Sequence, residues 1–162
     1  MAQSVVITVS DRCAAGLSED RSGPILIHAL TEAGHNVTGR VIPDGEESVA
    51  AALRRAIAEG ARLVVTTGGT GVAPRDRTPE GTRPVLDREL PGVAELIRAG
   101  GTAFSAHAAL SRGIAGVVDA HEAHPGAFVI NLPGSPAAVR DAAPVVLALA
   151  DHVLAQLEGG DH

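Results

Sequence analysis

The first half of the chain alternates short β-branched runs with longer segments in which apolar residues recur at helical spacing. The β-branched runs occupy residues 4–9, 37–42 and 62–67, and such runs are typical of buried strands in a parallel sheet. Helical spacing fills residues 25–33 and 49–58 between them. The resulting β-α-β-α-β order predicts a doubly wound α/β sheet, a fold that binds ligands at the carboxyl ends of its strands.

Hydroxyl residues followed by proline mark two helix starts in the second half of the chain. Thr78 and Ser135 each precede a proline, so each hydroxyl is predicted to cap a helix whose first residue is that proline. The helix after Ser135 is predicted to continue to residue 157. Ser22 is predicted to cap the first helix in the same way.

The rest of the second half carries weaker patterns, which predict two short helices, two strands that pair around a turn, and a frayed tail. In that order, these segments are residues 93–99, 103–110, 113–119, 127–131 and 158–162. No internal repeat, linker or low-complexity stretch interrupts the pattern. Residues 1–162 are therefore predicted to form a single domain, as suits a chain of this length.

The composition argues against several classes of protein. Hydrophobic residues make up 45% of the chain, which suits a globular core, and no apolar run approaches the roughly 20 residues of a membrane span. A single cysteine, Cys13, and a start without the basic flank of a signal peptide favour the cytoplasm. The net charge of −6 and the presence of two Phe as the only aromatic residues argue against nucleic-acid binding.

Among the reactive residue types, arginine has the clearest consequence. All 13 basic residues are Arg, so a phosphate held by a side-chain cation must be held by a planar guanidinium. Cys13 is predicted to be a spectator. The seven histidines show no metal-binding spacing, and His121 and His124 flank a predicted turn, where we expect them to be solvated.

A glycine-rich loop, TTGGTG at residues 66–71, follows the third predicted strand. Glycines permit tight turns and close approach of a ligand to the backbone, and successive N–H groups can enclose an anion. The spacing matches neither the Walker phosphate loop nor the dinucleotide fingerprint. An ordinary strand-exit loop remains the alternative interpretation.

Two aspartates lie where metal ligands would be expected. Asp76 sits between Arg75 and Arg77, shortly after the glycine-rich loop, and Mg²⁺ typically binds one or two carboxylates together with substrate phosphates. Asp44 ends the second predicted strand, and the strand ends of a doubly wound sheet share one edge, so Asp44 and Asp76 are predicted to converge on one metal ion. A capping or ion-pairing role is the alternative for Asp76, and a plain turn is the alternative for Asp44.

Three further segments offer groups that bind anions. The turn at residues 133–135 precedes a helix N-terminus, where free N–H groups and the helix dipole favour anions. Ser10 and Arg12 follow the first predicted strand, and the pair Ser111 and Arg112 offers a hydroxyl and a guanidinium. In each segment, capping or satisfying the backbone is the structural alternative.

Taken in order, these pieces resemble the molybdopterin-binding family. The pieces are SDR from Ser10, DRSGP from Asp20, PD from Pro43, TTGGTG from Thr66, RDxTPE from Arg75, LSRxxAG from Leu110 and NLPGSP from Asn131. The resemblance covers residues 4–155, and the ordered set is far more specific than any one motif.

The resemblance implies a three-layer α/β/α sandwich with a mostly parallel sheet, assembled as a homotrimer. It implies an enzyme that uses ATP and Mg²⁺ to adenylylate molybdopterin, releases pyrophosphate, and passes its product to a molybdenum insertase. Asp44 and Asp76 are implied as catalytic residues and metal ligands. The residues predicted to bind pterin or nucleotide are Ser10, Arg12, Thr67, Gly68, Gly69, Thr70, Gly71, Arg75, Ser111, Arg112, Pro133, Gly134 and Ser135.

Two departures from the family pattern bear on the activity. RDxTPE usually has an apolar middle residue where this chain has Arg77, and PD is often followed by an acid where this chain has Gly45. Neither change removes a functional group. A molybdopterin-binding paralogue without catalysis is one alternative, which retention of both aspartates disfavours, and an unrelated nucleotide or nucleotide-sugar binder is another.

Overall fold

A six-stranded sheet lies at the centre of the computed structural model, which describes residues 2–160. In chain order its strands are β1 (Gln3–Val9), β2 (Asn36–Ile42), β3 (Leu63–Thr67), β4 (Arg88–Glu89), β5 (Ala115–Val118) and β6 (Ala127–Leu132). Their order across the sheet is β2-β1-β3-β6-β5-β4. The β2, β1, β3 and β6 strands run parallel, whereas β5 is antiparallel to β6 and β4 is antiparallel to β5.

Helices connect the strands and cover both faces of the sheet. They are α1 (Asp11–Ala14), α2 (Ser22–Glu32), α3 (Glu46–Ala58), α4 (Thr78–Thr82), α5 (Pro91–Thr102) and α6 (Pro136–Leu157), with 3-10 segments at Arg83–Val85 and Ala106–Leu110. Among residues 2–160, no helix has both the length and the apolar character needed to cross a membrane.

Successive side chains of each central strand lie on opposite faces of the sheet and belong to two separate apolar cores. Val6 and Phe128 pack on one face with α2 and α6, while Val5 and Val129 pack on the other face with α3. Because both faces are covered, the central strands are apolar along their length instead of alternating with polar residues. The predicted three-layer α/β/α sandwich with a mostly parallel sheet is therefore confirmed.

The parallel strands end together at one rim of the sheet. Thr8 of β1 lies opposite Thr67 of β3, which in turn lies opposite Leu132 of β6, and Val9 lies opposite Ile42 of β2. The loops that follow these strands are therefore neighbours in space, although the ends of β1 and β6 are 123 residues apart in the chain.

The start of the first long helix differs from the prediction. The helix α2 begins at Ser22 itself, three residues before the predicted start, so Ser22 is not its N-cap. Instead, Asp20 accepts the N–H of Gly23 at 3.0 Å and the hydroxyl of Thr8 at 2.7 Å. A carboxylate in the preceding loop thus does the capping that the Ser-Gly-Pro pattern assigned to a hydroxyl.

The prediction that Thr78 caps a helix was also wrong. Thr78 is the first residue of α4 and makes no capping bond. Its hydroxyl donates to the carbonyl of Gly68 at 2.9 Å, which ties α4 to the glycine-rich loop. Ser135, in contrast, caps α6 as predicted, accepting the N–H of Ala138 at 3.1 Å.

In the second half of the chain, the structure contains most of the predicted elements, with different bounds. The predicted helix at 93–99 is α5, longer at both ends, whereas the predicted helix at 103–110 is only the 3-10 segment Ala106–Leu110. The predicted strand pair is confirmed as β5 and β6. The sequence patterns missed α1 and β4, which are four and two residues long. The α6 helix ends at Leu157, as predicted, and the frayed tail falls partly outside the described residues.

His124 is buried, contrary to its predicted solvation, while His121 is exposed. The Nδ1 atom of His124 accepts the N–H of Gly126 at 3.0 Å within the turn between β5 and β6. Burial lowers the pKa of His124 because it disfavours the charged imidazolium. This histidine therefore belongs to the turn as a neutral side chain.

Candidate active site

The glycine-rich loop requires glycine for its shape. Gly68 and Gly69 have φ angles of +100° and +68°, a region that L side chains rarely adopt. A Cβ added to Gly68 would lie only 2.3 Å from the carbonyl oxygen of Val9. The loop can therefore pass this close to β1 only without a side chain, which leaves its backbone open to a ligand.

The turn after β6 packs directly against this loop. A Cβ added to Gly134 would lie 3.1 Å from the Cα of Gly68, and Thr67 donates its hydroxyl to the carbonyl of Pro133 at 2.9 Å. Ser135 follows at the N-terminus of α6. The two segments predicted to bind anions thus form one continuous backbone surface at the rim.

Asp44 lies beside the first half of the loop. Its Oδ2 atom accepts the N–H of Asp11 at 2.8 Å, while Oδ1 is 3.2 Å from the position of a Cβ added to Gly69. Burial raises the pKa of Asp44, and the negative charges of Asp11 and Asp76 raise it further, although the hydrogen bond from Asp11 acts in the opposite direction.

Asp76 lies beside the second half of the loop. Its Oδ2 atom accepts the N–H of Ala73 at 3.0 Å and would be 2.8 Å from a Cβ added to Gly71. Its negative charge contributes to the raised pKa of Asp44. Asp44 therefore lies beside Gly69 and Asp76 beside Gly71, so both carboxylates border the same short loop.

Arg112 binds the protein itself around this loop. It donates to the carbonyls of Gly71 at 2.8 Å and Asp76 at 2.7 Å, and it forms an ion pair with Glu80. This guanidinium lowers the pKa of Glu80. Its backbone N–H also donates to the carbonyl of Thr70 at 2.8 Å. Arg112 thus holds the loop in shape, whereas the sequence suggested direct contact with substrate phosphates.

The other predicted residues occupy the rim in different ways. Ser10 caps α1 by accepting the N–H of Cys13 at 3.2 Å. Ser111 donates to the hydroxyl of Thr70 at 3.4 Å. Arg12 is exposed, and its guanidinium makes no hydrogen bond or ion pair within the described part of the chain, so this group is available to a ligand.

Two cavities flank the contact between Gly68 and Gly134. One, of about 440 Å³, is lined by the loop, Asp76, Ser111 and the turn at 133–135. The other, of about 520 Å³, lies between the loop and the segments that carry Ser10 and Asp20. Gly68 and Gly134 line both cavities. The rim therefore offers two adjoining compartments.

The sequence patterns did not identify the apolar wall of the first cavity. Ile97 of α5 and the following residues Phe104 and Leu110 line it, and Phe104 is 78% exposed. Leu110 begins the LSRxxAG motif, but Ile97 and Phe104 belong to none of the motifs of the sequence. Asp11 was also missed as a site residue, although an acid directly after a central strand could have indicated it.

The donor set at the loop suits a magnesium ion. Asp44 and Asp76 each keep one carboxylate oxygen, Oδ1, that accepts no hydrogen bond from residues 2–160. Mg²⁺ is usually bound by one or two carboxylates, with substrate phosphates and water completing its octahedron. These two side chains could therefore hold Mg²⁺ with a polyphosphate ligand lying on the glycine-rich loop.

Comparison with known proteins agrees with this geometry. A family profile described as "Probable molybdopterin binding domain" matches residues 5–152, which include both aspartates, the loop and the turn. The chain belongs to this molybdopterin-binding family. A structure of a molybdopterin biosynthesis protein from Mycobacterium abscessus superposes on this family member with a TM-score of 0.86 and 42% identity, covering 98% of this chain and 97% of that one.

Two curated relatives extend the comparison. The molybdopterin adenylyltransferase of Pyrococcus furiosus is 40% identical over 150 residues, covering 92% of this molybdopterin-binding chain and 87% of the relative. The molybdenum cofactor biosynthesis bifunctional protein of Synechococcus elongatus is 40% identical over 160 residues. That alignment covers 98% of this chain but 48% of the relative, so the chain spans about half the length of the bifunctional protein.

Proposed function

We propose that this chain is a molybdopterin adenylyltransferase, an enzyme of molybdenum cofactor biosynthesis that transfers the adenylyl group of ATP to molybdopterin in a Mg²⁺-dependent reaction. The observation that carries the proposal is the pairing of Asp44 and Asp76 beside the glycine-rich loop. Relatives named molybdopterin adenylyltransferase support it.

The two cavities suit a reaction between two substrates. One compartment would take molybdopterin and the other ATP, with the reacting phosphates meeting at Gly68 and Gly134, which line both. Backbone N–H groups at this junction would contact phosphate oxygens, as at other glycine-rich loops before helices. Holding two reactants at one point removes much of the entropy cost of their encounter.

The chemistry requires no nucleophilic side chain. An oxygen of the terminal phosphate of molybdopterin attacks the α-phosphorus of ATP, a new P–O bond forms, and the bond to the β-phosphate oxygen breaks to release pyrophosphate. The attacking phosphate monoester is already an anion at neutral pH. The main barrier is electrostatic repulsion between the phosphate of molybdopterin and the triphosphate of ATP. Catalysis would therefore consist mainly of positioning the substrates and stabilising their charge.

Asp44 and Asp76 would hold Mg²⁺, since each keeps a carboxylate oxygen that accepts no hydrogen bond from residues 2–160. When bound, this ion neutralises charge on the triphosphate and on the departing pyrophosphate. Arg12, exposed in the short helix α1 after β1, would contact a phosphate oxygen. The amides of the loop and the N-terminus of α6 add positive field, which allows a protein of net charge −6 to bind polyanions.

The wider setting of the enzyme is also part of the proposal. Residues 1–162 would form one molybdopterin-binding domain, assembled as a homotrimer in the cytoplasm. A molybdenum insertase would receive the product, an idea supported by relatives that are bifunctional cofactor-biosynthesis proteins. Neither nucleic acid nor a membrane would be a partner, since the acidic net charge disfavours the first.

Product analysis by mass spectrometry tests this function. The protein is mixed with molybdopterin, ATP and Mg²⁺, and adenylylated molybdopterin and pyrophosphate are expected in equal amounts. Asp76→Ala should lower the rate by about 10²–10³-fold while leaving molybdopterin binding intact, because it removes electrostatic stabilisation and not a pterin contact.

Asp119→Ala is the matched control. Asp119 follows β5 at the opposite rim of the sheet and pairs with Arg88 at 2.5 Å, so its loss should leave the rate unchanged. Tight molybdopterin binding by the wild-type protein without product would indicate the non-catalytic paralogue. Loss of pterin binding in Asp76→Ala would contradict the metal-ligand role.

A further inference from the structure

Asp11 lies at the rim and is hydrogen-bonded to both Asp44 and Arg75. We propose that Asp11 and Arg75 are a positioning pair, which orients the carboxylate of Asp44 toward the glycine-rich loop and joins the segments that carry Asp44 and Asp76. The inference deepens the proposed function and rests on it. Neither residue of the pair would touch the reacting atoms.

Reciprocal hydrogen bonds join the ends of β1 and β2. The backbone N–H of Asp11 donates to Oδ2 of Asp44 at 2.8 Å, and the backbone N–H of Asp44 donates to Oδ1 of Asp11 at 3.1 Å. The first bond occupies Oδ2 of Asp44, whereas Oδ1 is the oxygen beside Gly69. Because Oδ2 is held there, Oδ1 remains beside Gly69, on the side where a metal–phosphate ligand would lie.

Arg75 closes the arrangement from the other segment. Its Nε and Nη2 atoms donate to the two carboxylate oxygens of Asp11, both at 3.0 Å, and Nη2 also donates to the carbonyl of Asp44 at 2.7 Å. Arg75 directly precedes Asp76 in the chain. One guanidinium therefore connects the peptide of one proposed metal ligand with the peptide that carries the other.

Three negatively charged side chains at this rim repel one another, which gives the Asp11–Arg75 pair its role. Asp11, Asp44 and Asp76 bring three carboxylates to one rim, and Arg75 is bound bidentately to the first of them. A bidentate Arg–carboxylate contact is directional as well as attractive, so it restrains geometry in addition to offsetting charge. Removing it would let the Asp44 segment move away from Asp76.

This assignment differs in a measurable way from a role of Arg75 as a phosphate ligand. Asp11 and Asp44 bind only Nε and Nη2 of Arg75, so a role as phosphate ligand would fall to Nη1 and would not depend on Asp11. In that case loss of Arg75 would raise the KM for ATP independently of Asp11. A positioning pair instead predicts that both residues act as one unit on metal binding and on kcat.

The test is a double-mutant cycle with Asp11→Ala, Arg75→Ala and the combined variant. Each single change is expected to lower kcat roughly tenfold to a hundredfold, the range typical of residues that orient metal ligands, with the KM for molybdopterin unchanged. The combined variant should be no slower than the slower single variant, because the two residues form one unit. Asp11→Asn keeps an acceptor for the N–H of Asp44 and should recover part of the rate.

Metal binding supplies a readout that does not depend on turnover. Mn²⁺ is titrated into the protein with a non-hydrolysable ATP analogue and followed by electron paramagnetic resonance, and Asp11→Ala should weaken binding roughly tenfold or more. Asp119→Ala, which removes an Arg-paired carboxylate of similar exposure at the other rim, should leave both Mn²⁺ affinity and rate unchanged. Circular dichroism confirms that each variant is folded.

The outcomes separate the two proposals. Unchanged Mn²⁺ affinity in Asp11→Ala and Asp11→Asn overturns the positioning pair, as do additive losses in the combined variant with a raised KM for ATP. A wild-type protein that binds Mn²⁺ with the analogue but forms no product overturns the proposed function. Weakened Mn²⁺ binding in Asp11→Ala would then still support the positioning pair, because that variant removes the side-chain contacts of Asp11 with the N–H of Asp44 and with Arg75.

Discussion

At the scale of single residues, Asp44 is the side chain whose ionised form the site destabilises. Asp44 is half-buried, lies near two other carboxylates and has a raised pKa. At neutral pH the folded protein therefore carries an ionised group that its surroundings disfavour. Such a group is expected where a cation binds, since the ligand and not the protein provides the compensating charge.

Asp44→Asn is therefore expected to raise the free energy of unfolding at neutral pH while abolishing Mg²⁺-dependent activity. A carboxyl group whose folded-state pKa is above its ordinary value of 3.8 contributes stability below that pH, and loses it as the pH rises through the folded value. Asn carries no charge and can still accept the N–H of Asp11.

Urea denaturation of wild type and variant at several pH values checks this expectation. The stability difference should shrink on acidification, as Asp44 of the wild type becomes protonated. Activity of the wild type should likewise be lost at a higher pH than an ordinary aspartate would give. A stability difference that does not change with pH would contradict the electrostatic explanation.

At the scale of elements, the N-terminus of α6 combines a structural and a proposed binding role. Ser135 caps the helix, and the preceding Pro133 and Gly134 pack against the glycine-rich loop. At the other end of the helix, Arg62 donates to the carbonyl of Leu154 and pairs with Glu158 at 2.5 Å. The orientation of α6 at the site is thus restrained at both ends.

Ser135→Ala is expected to destabilise the fold by about 1 kcal/mol, because the N–H of Ala138 loses its acceptor. Thermal unfolding measures the change. Ser135→Asn is the matched control, since Asn caps helices as well as Ser does and should preserve stability. Equal destabilisation by both variants would show that the effect comes from something other than the cap.

At the scale of the whole molecule, a central sheet separates two apolar cores. Phe128 lies fully buried in the larger core, between the sheet and α6, whereas Phe104, the chain's other aromatic residue, is 78% exposed at the first cavity. Substituting each of these two phenylalanines therefore shows how much burial of the ring contributes to stability.

Phe128→Ala is expected to cost about 3–5 kcal/mol in the free energy of unfolding, because it removes a large buried side chain and leaves a cavity. Phe104→Ala should change stability by less than about 0.5 kcal/mol, since little of its ring is buried. Urea unfolding of both variants checks the pair. Similar losses in both would indicate that the wall around Phe104 packs more tightly than its exposure suggests.

Local pattern was sufficient for the parts of the molecule that depend on local interactions. The β-branched runs of β1 and β3, the spacing of α3 and the cap at Ser135 follow from side-chain preference and helix-end chemistry within a few residues. The rim location of Asp44 followed from the strand order. The ordered motifs indicated the molybdopterin-binding family from the sequence alone.

Tertiary structure decided how groups distant in the chain share hydrogen bonds. Asp20 and not Ser22 caps α2, because the loop carries its carboxylate back to Gly23, and Thr78 turns to Gly68. In the sequence, Arg75 and Arg112 were equivalent candidates for binding phosphate. In the structure, Arg75 binds Asp11 and Asp44, which lie 64 and 31 residues away, and Arg112 binds the carbonyl of Gly71, which lies 41 residues away. Sequence determines which groups a chain contains, but a polar group takes the nearest well-oriented partner, and that partner exists only once the strands have paired.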